Sequence, residues 1–421
     1  MKQSKRSSVF SLQIVNLAWK NIWRNKVRSA VILSAIAIGL FSGTFMLSFL
    51  NGWIIETVND DIKTQLSHVQ IHDTTFLANY DINACFIRKD IEEKISQQFS
   101  RPVFTVAYRL NLTGILASPH NVTGVTAKAV WEDEEMQVTN VWKHIPDTSG
   151  VYLTGDTRNA IVISRKIAEK LNVKLKSKIV FTFQDAFGDM QSIAFRVGGI
   201  YKTTNGMFDE GNVFIRYTDV FDYTGLPAGA VHEAAILTED METCRILAPQ
   251  LKKLFPEMDV QAWTELNPAL EMVLAYTDFL AVIILGIFLL ALSFGIINTM
   301  LMAVLERTHE LGMLGAIGMS KRKIFRMIML ETLFLTIIGS VVGIVIGALL
   351  ILPTLKTGID MNFLIGDQFE DYGFSSIVYP ILNMQMFIQI VVLVILAGIL
   401  SAIYPARKAL KLNPLEAIKQ V

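Results

Sequence analysis

Cysteine is nearly missing from this sequence, with two in 421 residues. A small domain stapled by many disulfides is thereby excluded. Proline (11) and glycine (26) stand at ordinary levels, which excludes collagen-like and low-complexity chains. Charge is scarce: charged residues make up 18%, against about 25% in an ordinary soluble chain. The 38 Lys and Arg balance the 38 Asp and Glu, so no global field draws nucleic acid. Catalytic signatures are missing too. No Gly-x-Ser-x-Gly, His-Glu-x-x-His, Cys-x-x-Cys or phosphate-cradling Gly-x-x-x-x-Gly-Lys-Ser/Thr occurs. Nothing supports an enzyme or a nucleotide site in this chain, and no bound cofactor is expected.

What is present is apolar and clumped. Hydrophobic residues make up 52%, and mean hydropathy is +0.42. Four uncharged runs, Ser29 to Leu50, Phe279 to Leu305, Thr332 to Leu355 and Met384 to Tyr404, are each long enough to cross a bilayer. Transmembrane helices are therefore expected at 29–50, 273–305, 328–355 and 384–405. Between them lie a cytoplasmic segment 1–28, a large polar domain 51–272, a connection 306–327, an outer loop 356–383 and a tail 406–421. Orientation follows the basic residues. The N-terminal segment holds Lys2, Lys5, Arg6, Lys20, Arg24, Lys26 and Arg28, and the 306–327 connection holds Arg307, Lys321, Arg322, Lys323 and Arg326. The tail adds Arg407, Lys408, Lys411 and Lys419. The 356–383 loop has only Lys356 against Asp360, Asp367, Glu370 and Asp371. Both termini and the 306–327 connection are assigned to the cytoplasm, and the large domain to the outside. The first run exceeds the about 7 to 15 residues of a cleaved signal and is expected to stay as an anchor.

The large domain is expected to be α+β with two lobes, the chain leaving the first near residue 140 and returning near 228. Strand patterns are read at Val69 to His72, Pro102 to Leu116, Val122 to Val130, Lys178 to Phe183 and Ile193 to Ile200. Helices are read at 90–95, 164–171 and 239–254. His68 and His72 share a strand face beside Asp73, but no third converging ligand is identifiable, so no metal is expected. Cys85 and Cys244 both fall outside the membrane, where a disulfide is a candidate and two unrelated buried thiols the alternative.

Three cytoplasmic stretches are the most informative. Val15, Ala18, Trp19 and Ile22 repeat at helical spacing within Phe10 to Arg28, an amphipathic helix with Trp19 and Trp23 as interface anchors. Glu306 to Gly318 reads as a short exposed helix stopped by Gly318, with Ser320 capping the next. In the tail, Asn413, Pro414 and Glu416 fall at N-cap, N1 and N3 of a restarted helix. Gly339, Gly343 and Gly347 give the third membrane helix a smooth stripe for close packing. Glu331 is expected to pair with Arg326 or Lys323.

Ala18-Trp19-Lys20-Asn21-Ile22-Trp23-Arg24-Asn25, Glu306-Arg307-x-x-Glu310-Leu311-Gly312 with Ala316-Ile317-Gly318, and Pro405-Ala406-x-x-Ala409 with Asn413-Pro414-x-Glu416-Ala417 together resemble permease subunits of the MacB/FtsX-like ABC transporter superfamily, the type VII or mechanotransmission transporters. The order of one helix, a large external domain and three helices is similar as well. Leu47 to Trp53 resembles the LolC/LolE lipoprotein-releasing permeases. The resemblance implies porter-like and sabre-like external lobes in a multi-pass protein of the bacterial inner membrane. It implies a separate LolD/MacB-type ATPase subunit that uses ATP and Mg and docks at Glu306, Arg307, Glu310, Leu311, Gly312, Ala316, Ile317 and Gly318. It further implies a second permease copy or sister permease, and extraction of lipoproteins contacted by Met46, Phe49, Leu50 and Phe279 at the outer helix ends. Membrane lipid surrounds the helices, and a periplasmic chaperone or adaptor is a further expected partner. The alternatives are MacB-like efflux or peptide export with an adaptor, and FtsX-like regulation of a cell-wall hydrolase.

Overall fold

The computed structural model describes residues 14–99, 104–153, 158–361 and 377–410. The Asn413 to Glu416 cap, the acidic residues Asp367, Glu370 and Asp371, and the basic residues Lys2, Lys5, Arg6, Lys411 and Lys419 lie outside the described residues.

The chain begins with α1 (residues 14–24), α2 (Lys26–Asp61), β1 (Val69–His72), α3 (Phe76–Asn79), β2 (Phe86–Ile87), α4 (Arg88–Gln98), β3 (Phe104–Ala117), β4 (Val122–Val130) and α5 (Glu132–Val138). It continues through β5 (Ala160–Ser164), α6 (Arg165–Leu171), β6 (Lys178–Gln184), β7 (Met190–Tyr201), α7 (Gly206–Gly211), β8 (Asn212–Arg216), α8 (Tyr217–Val220), β9 (Ala230–Val231), β10 (Glu233–Thr238) and α9 (Met241–Leu254). It closes with β11 (Asp259–Ala262), α10 (Trp263–Leu266), α11 (Pro268–Glu306), α12 (Thr308–Ala316), α13 (Lys321–Thr357), β12 (Ile359–Asp360), β13 (Ile377–Val378) and α14 (Met384–Ala409). Two compact units result. One gathers Met1–Ile54, Ala275–Ile359 and Val378–Val421; the other gathers Ile55–Leu274 and Asp360–Ile377.

The first unit is a helical bundle. α2, α11, α13 and α14 are all long and apolar enough to cross a membrane. At 36 residues, α2 runs well past the apolar stretch that starts it, for ~54 Å at 1.5 Å per residue. The amphipathic N-terminal stretch is broken rather than continuous. It bends at Asn25, whose side chain accepts from the Arg28 backbone N–H at 3.3 Å and so starts α2 afresh. Ala18 and Ile22 of α1 are buried in the bundle, whereas Val15 is exposed. Trp19 packs edge-on against Phe334 of α13, with ring centroids 5.6 Å apart.

The glycine stripe of α13 faces α2. A Cβ on Gly339 would lie 2.9 Å from the Ile36 side chain, and one on Gly343 would lie 3.0 Å from the Ala37 backbone. Gly347 sits more loosely, with nothing nearer than 3.9 Å. On α14, a Cβ on Gly398 would meet the Thr336 hydroxyl at 2.6 Å, so α13 and α14 also depend on a missing side chain.

The second unit is α+β. Its main sheet has nine strands in the order β11-β1-β10-β3-β4-β8-β5-β7-β6. The two expected lobes share this one sheet. β3 has 14 residues; it pairs with β10 through Phe104 to Arg109 and with β6 through Gly114 to Ala117. Period-two alternation sends Leu110, Leu112, Ala127, Ala129, Ile71 and Ile236 into one apolar core. α9 covers that core because Cys244, Leu247, Ala248 and Leu251 recur at i, i+3, i+4 and i+7. Asp240 starts this helix by accepting from the Thr243 N–H at 2.7 Å. The β6–β7 hairpin turns through Asp185, whose Oδ1 accepts from the Phe187 and Asp189 N–H groups at 2.9 Å, and through Gly188 at φ +90.

Both cysteines are free thiols, so the candidate bridge does not form. Cys244 points into the core, and its Sγ donates to the His68 carbonyl at 3.3 Å. Burial pushes this thiol up to about 11. No cluster of His, Cys, Asp or Glu fit for a metal occurs among the described residues.

Candidate functional site

The candidate coupling site is the turn between α11 and α13. α11 ends at Glu306, and Arg307 occupies the N-cap position of α12. α12 stops as the sequence demands. Gly318 takes φ +98, a conformation that disfavours any side chain, while its N–H donates to the Gly315 carbonyl at 3.1 Å. The Met319 N–H donates to the Leu314 carbonyl at 2.9 Å, completing the cap. Ser320 then occupies the N-cap position of α13 without a side-chain bond.

The residues expected to dock an ATPase divide into two sets. Leu311 and Gly312 are buried and anchor α12 to the bundle. Glu306, Ala316, Ile317 and Gly318 are exposed, Ile317 at 84%, and Met313 joins them. Arg307 and Glu310 are engaged in ion pairs. Arg307 Nε donates to Glu310 Oε2 at 3.0 Å, and Arg307 Nη1 donates to Glu331 at 3.1 Å. Glu310 also takes a bond from Arg24 of α1. Burial acts to raise the Glu310 carboxyl, but the bonds from Arg24 and Arg307 outweigh it and hold the group below its ordinary value.

Glu331 does not pair with Arg326 or Lys323 as expected. It lies on the inward face of α13 and accepts from Arg28 Nη2 of α2 at 2.6 Å. A carboxylate among apolar side chains must find its partner inside the fold, and two arginines supply it there. Arg24, Arg28, Arg307, Glu310 and Glu331 thus tie α1, α2, α12 and α13 together. A polar crevice of about 270 Å3 opens beside them, lined also by Asn21 and Asn25. Sequence reasoning missed this network. The available signal was a single acid near the start of one apolar helix and a single arginine at the head of another.

The outer helix ends place the candidate substrate contacts unevenly. Met46 and Phe279 are exposed, Phe279 at 61%, and Phe49 is half-buried against Phe45, ring on ring at 6.3 Å. Leu50 is not available; it follows Leu47 by one turn onto the inward face of α2 and is only 9% exposed.

A family model for the MacB-like periplasmic core domain matches residues 29–252, and one for the FtsX-like permease C-terminal region matches residues 282–414. An ABC transporter permease of Methanocaldococcus jannaschii is 23% identical over 96% of this chain and 97% of its own length. The ABC transporter permease YtrF of Bacillus subtilis is 35% identical over 30% of this chain and 29% of its own. The macrolide export ATP-binding/permease protein MacB of Rhodopirellula baltica is 30% identical over 37% of this chain and 20% of its own. Among solved structures, the periplasmic region of MacB from Actinobacillus actinomycetemcomitans aligns over 51% of this chain and 98% of its own, at 13% identity and a TM-score of 0.33. The chain belongs to the MacB/FtsX-like family of ABC transporter permeases. It is a multi-pass membrane protein with a periplasmic-type domain between its first and second spanning helices, and its family works with an ABC ATPase.

Proposed function

We propose that this permease carries motion from a separate cytoplasmic ATPase to its extracytoplasmic domain, binding no nucleotide itself. The carrying observation is the exposed Met313, Ala316, Ile317 and Gly318 end of α12, held on a base of ion pairs to α1, α2 and α13. A rigid base under an exposed apolar tip lets a partner's movement pull on several helices at once. The docked partner is an ABC ATPase using ATP and Mg, and a second permease, identical or sister, completes the assembly in the bacterial inner membrane. The cargo is a lipoprotein taken from the outer leaflet, entering past the exposed Met46 and Phe279 side chains. A second reading, MacB-like export with a periplasmic adaptor, draws on the MacB-type core model that matches residues 29–252.

The test is co-purification and ATPase activity of the reconstituted complex with Ile317→Glu. We expect association at least tenfold weaker and the loss of permease-stimulated turnover, with an unchanged unfolding temperature for the permease alone. Unaltered assembly and turnover would sink the docking role. Release of a lipidated protein from proteoliposomes, against export of an unlipidated peptide, separates the two cargo readings.

A further inference from the structure

α2 runs straight into a wider turn. Its last residue, Asp61, leads into the π-helical segment Ile62–Leu66, where the Ser67 N–H donates to the Ile62 carbonyl at 2.6 Å. Ordinary α-winding would give that N–H to the Lys63 carbonyl instead. The Lys63 carbonyl is already engaged, accepting from the Asn140 N–H at 2.9 Å. Asn140 grips the turn a second time, its Oδ1 accepting from the Thr64 hydroxyl at 3.1 Å. The wide winding is thus held by a residue just beyond α5.

Two further asparagines hold the same turn. Asn205 caps α7 by accepting from the Met207 and Phe208 N–H groups, and its Nδ2 donates to Asp61 Oδ1 at 2.6 Å. Asn267, directly before α11, gives the Asp61 carboxylate another side-chain bond. Asp61 is only 9% exposed, and it is held by these amides and by no cation among the described residues. A carboxylate bonds a neutral amide less strongly than an arginine, so such bonds exchange more readily. Past the turn the backbone is strained. Ser67 is fully buried at φ +59 and ψ 177, a region that only glycine holds freely, and its hydroxyl has no partner among the described residues.

We propose that Asn140, Asn205 and Asn267 are positioning residues that keep 62–66 in one of two windings, and that the turn rewinds to the α-helical form when α2 is pulled. Rewinding moves the Ser67 N–H from the Ile62 to the Lys63 carbonyl, frees the Asn140 N–H and relieves Ser67. It turns the face of α2 relative to β1. The inference rests on the reading that α2 carries motion to the external domain, and it names the joint where that motion arrives.

The first experiment uses the full-length permease alone in detergent, carrying Cys85→Ala and Cys244→Ala, with nitroxide labels on Asn59→Cys and Glu169→Cys and their separation read by pulsed spin resonance. Asn205→Asp keeps the α7 cap but sets a second carboxylate against Asp61. We expect it to add a second distance, shifted by at least about 2 Å. Asp61→Asn combined with Asn205→Asp restores the single distance, because amide and carboxylate have exchanged places. One unchanged distance in Asn205→Asp, or no recovery in the double variant, would overturn the proposal. The second experiment joins Thr64→Cys to Asn140→Cys by oxidation in the complex reconstituted with its ATPase. A contact that only stabilises the fold tolerates being locked; a joint that must open does not. ATP-driven cargo release is expected to fall by about tenfold on oxidation and to recover on reduction. Release indifferent to the cross-link overturns the joint. A complex with no ATP-driven release before oxidation counts against the proposed function instead, and the label distances, which need no ATPase, still decide the joint.

Discussion

The Arg28 guanidinium lies 2.6 Å from the Glu331 carboxylate, both buried, although 303 residues separate them in sequence. Arg307 reaches the same carboxylate at 3.1 Å. One acid therefore receives the head of the first membrane helix and the turn that leads into the coupling helix. Removing one member of such a buried set leaves an uncompensated charge, which costs about 3 to 5 kcal/mol. Glu331→Leu is expected to lower the thermal unfolding temperature of the detergent-solubilised permease sharply. Arg28→Met combined with Glu331→Leu should recover part of that loss. A double variant no better than the single one contradicts the pairing.

The α2–α13 contact offers a graded test. A Cβ on Gly343 would press on the Ala37 backbone at 3.0 Å, while one on Gly347 would find nothing nearer than 3.9 Å. Gly343→Val is expected to destabilise the bundle by about 1 to 3 kcal/mol through overpacking, and Gly347→Ala to leave it nearly unchanged. Unfolding followed by tryptophan fluorescence measures both.

Glu233 makes the external domain acid-sensitive. Burial alone would raise its carboxyl, but Arg109 and Lys128, with His72 and Asn111, bring it from the ordinary 4.5 down to about 2. A folded-state value below the unfolded one means the unfolded chain binds the proton more readily. Stability from this group is thus present above pH 4.5 and is lost as pH falls toward 2. Unfolding temperatures of wild type across that window should decline more steeply than those of Glu233→Gln, which starts lower. Parallel curves would remove Glu233 as the cause.

Asp209 acts in the opposite sense. Burial raises its carboxyl to about 6, opposed by bonds from the Thr203 hydroxyl and N–H. Its stabilising contribution is full below pH 3.8 and declines as pH rises through about 6. Asp209→Asn should flatten the dependence of stability on pH between 4 and 6. An unchanged slope in that interval rules the assignment out.

Much of the fold could be read directly from residue order. The four apolar runs specify spanning helices because an apolar segment of about 20 residues satisfies its own backbone in a bilayer as a helix, whereas barrel strands are about half as long. Ser164, Asp240 and Asn383 each accept from a backbone N–H at the start of a helix, a local geometry that short sequence stretches encode. Gly318 stops α12 for the same local reason. The partners of Glu331 were not legible, because Arg326 and Lys323 are nearer in sequence while the helix faces turn Arg28 and Arg307 toward it. The burial of Leu50 was not legible, because a 100° step per residue decides inward or outward, and an unbroken apolar run carries no phase.

Sequence alone determined the number of membrane crossings, the insertion of a large polar domain after the first of them, and the family, since these depend on composition and on neighbours within a few turns. Tertiary structure decided which charges meet, that both lobes share β3 and one sheet, and that Cys85 and Cys244 stay apart. Those outcomes depend on strand order and helix rotation, which bring together groups tens to hundreds of residues apart, so no local pattern records them.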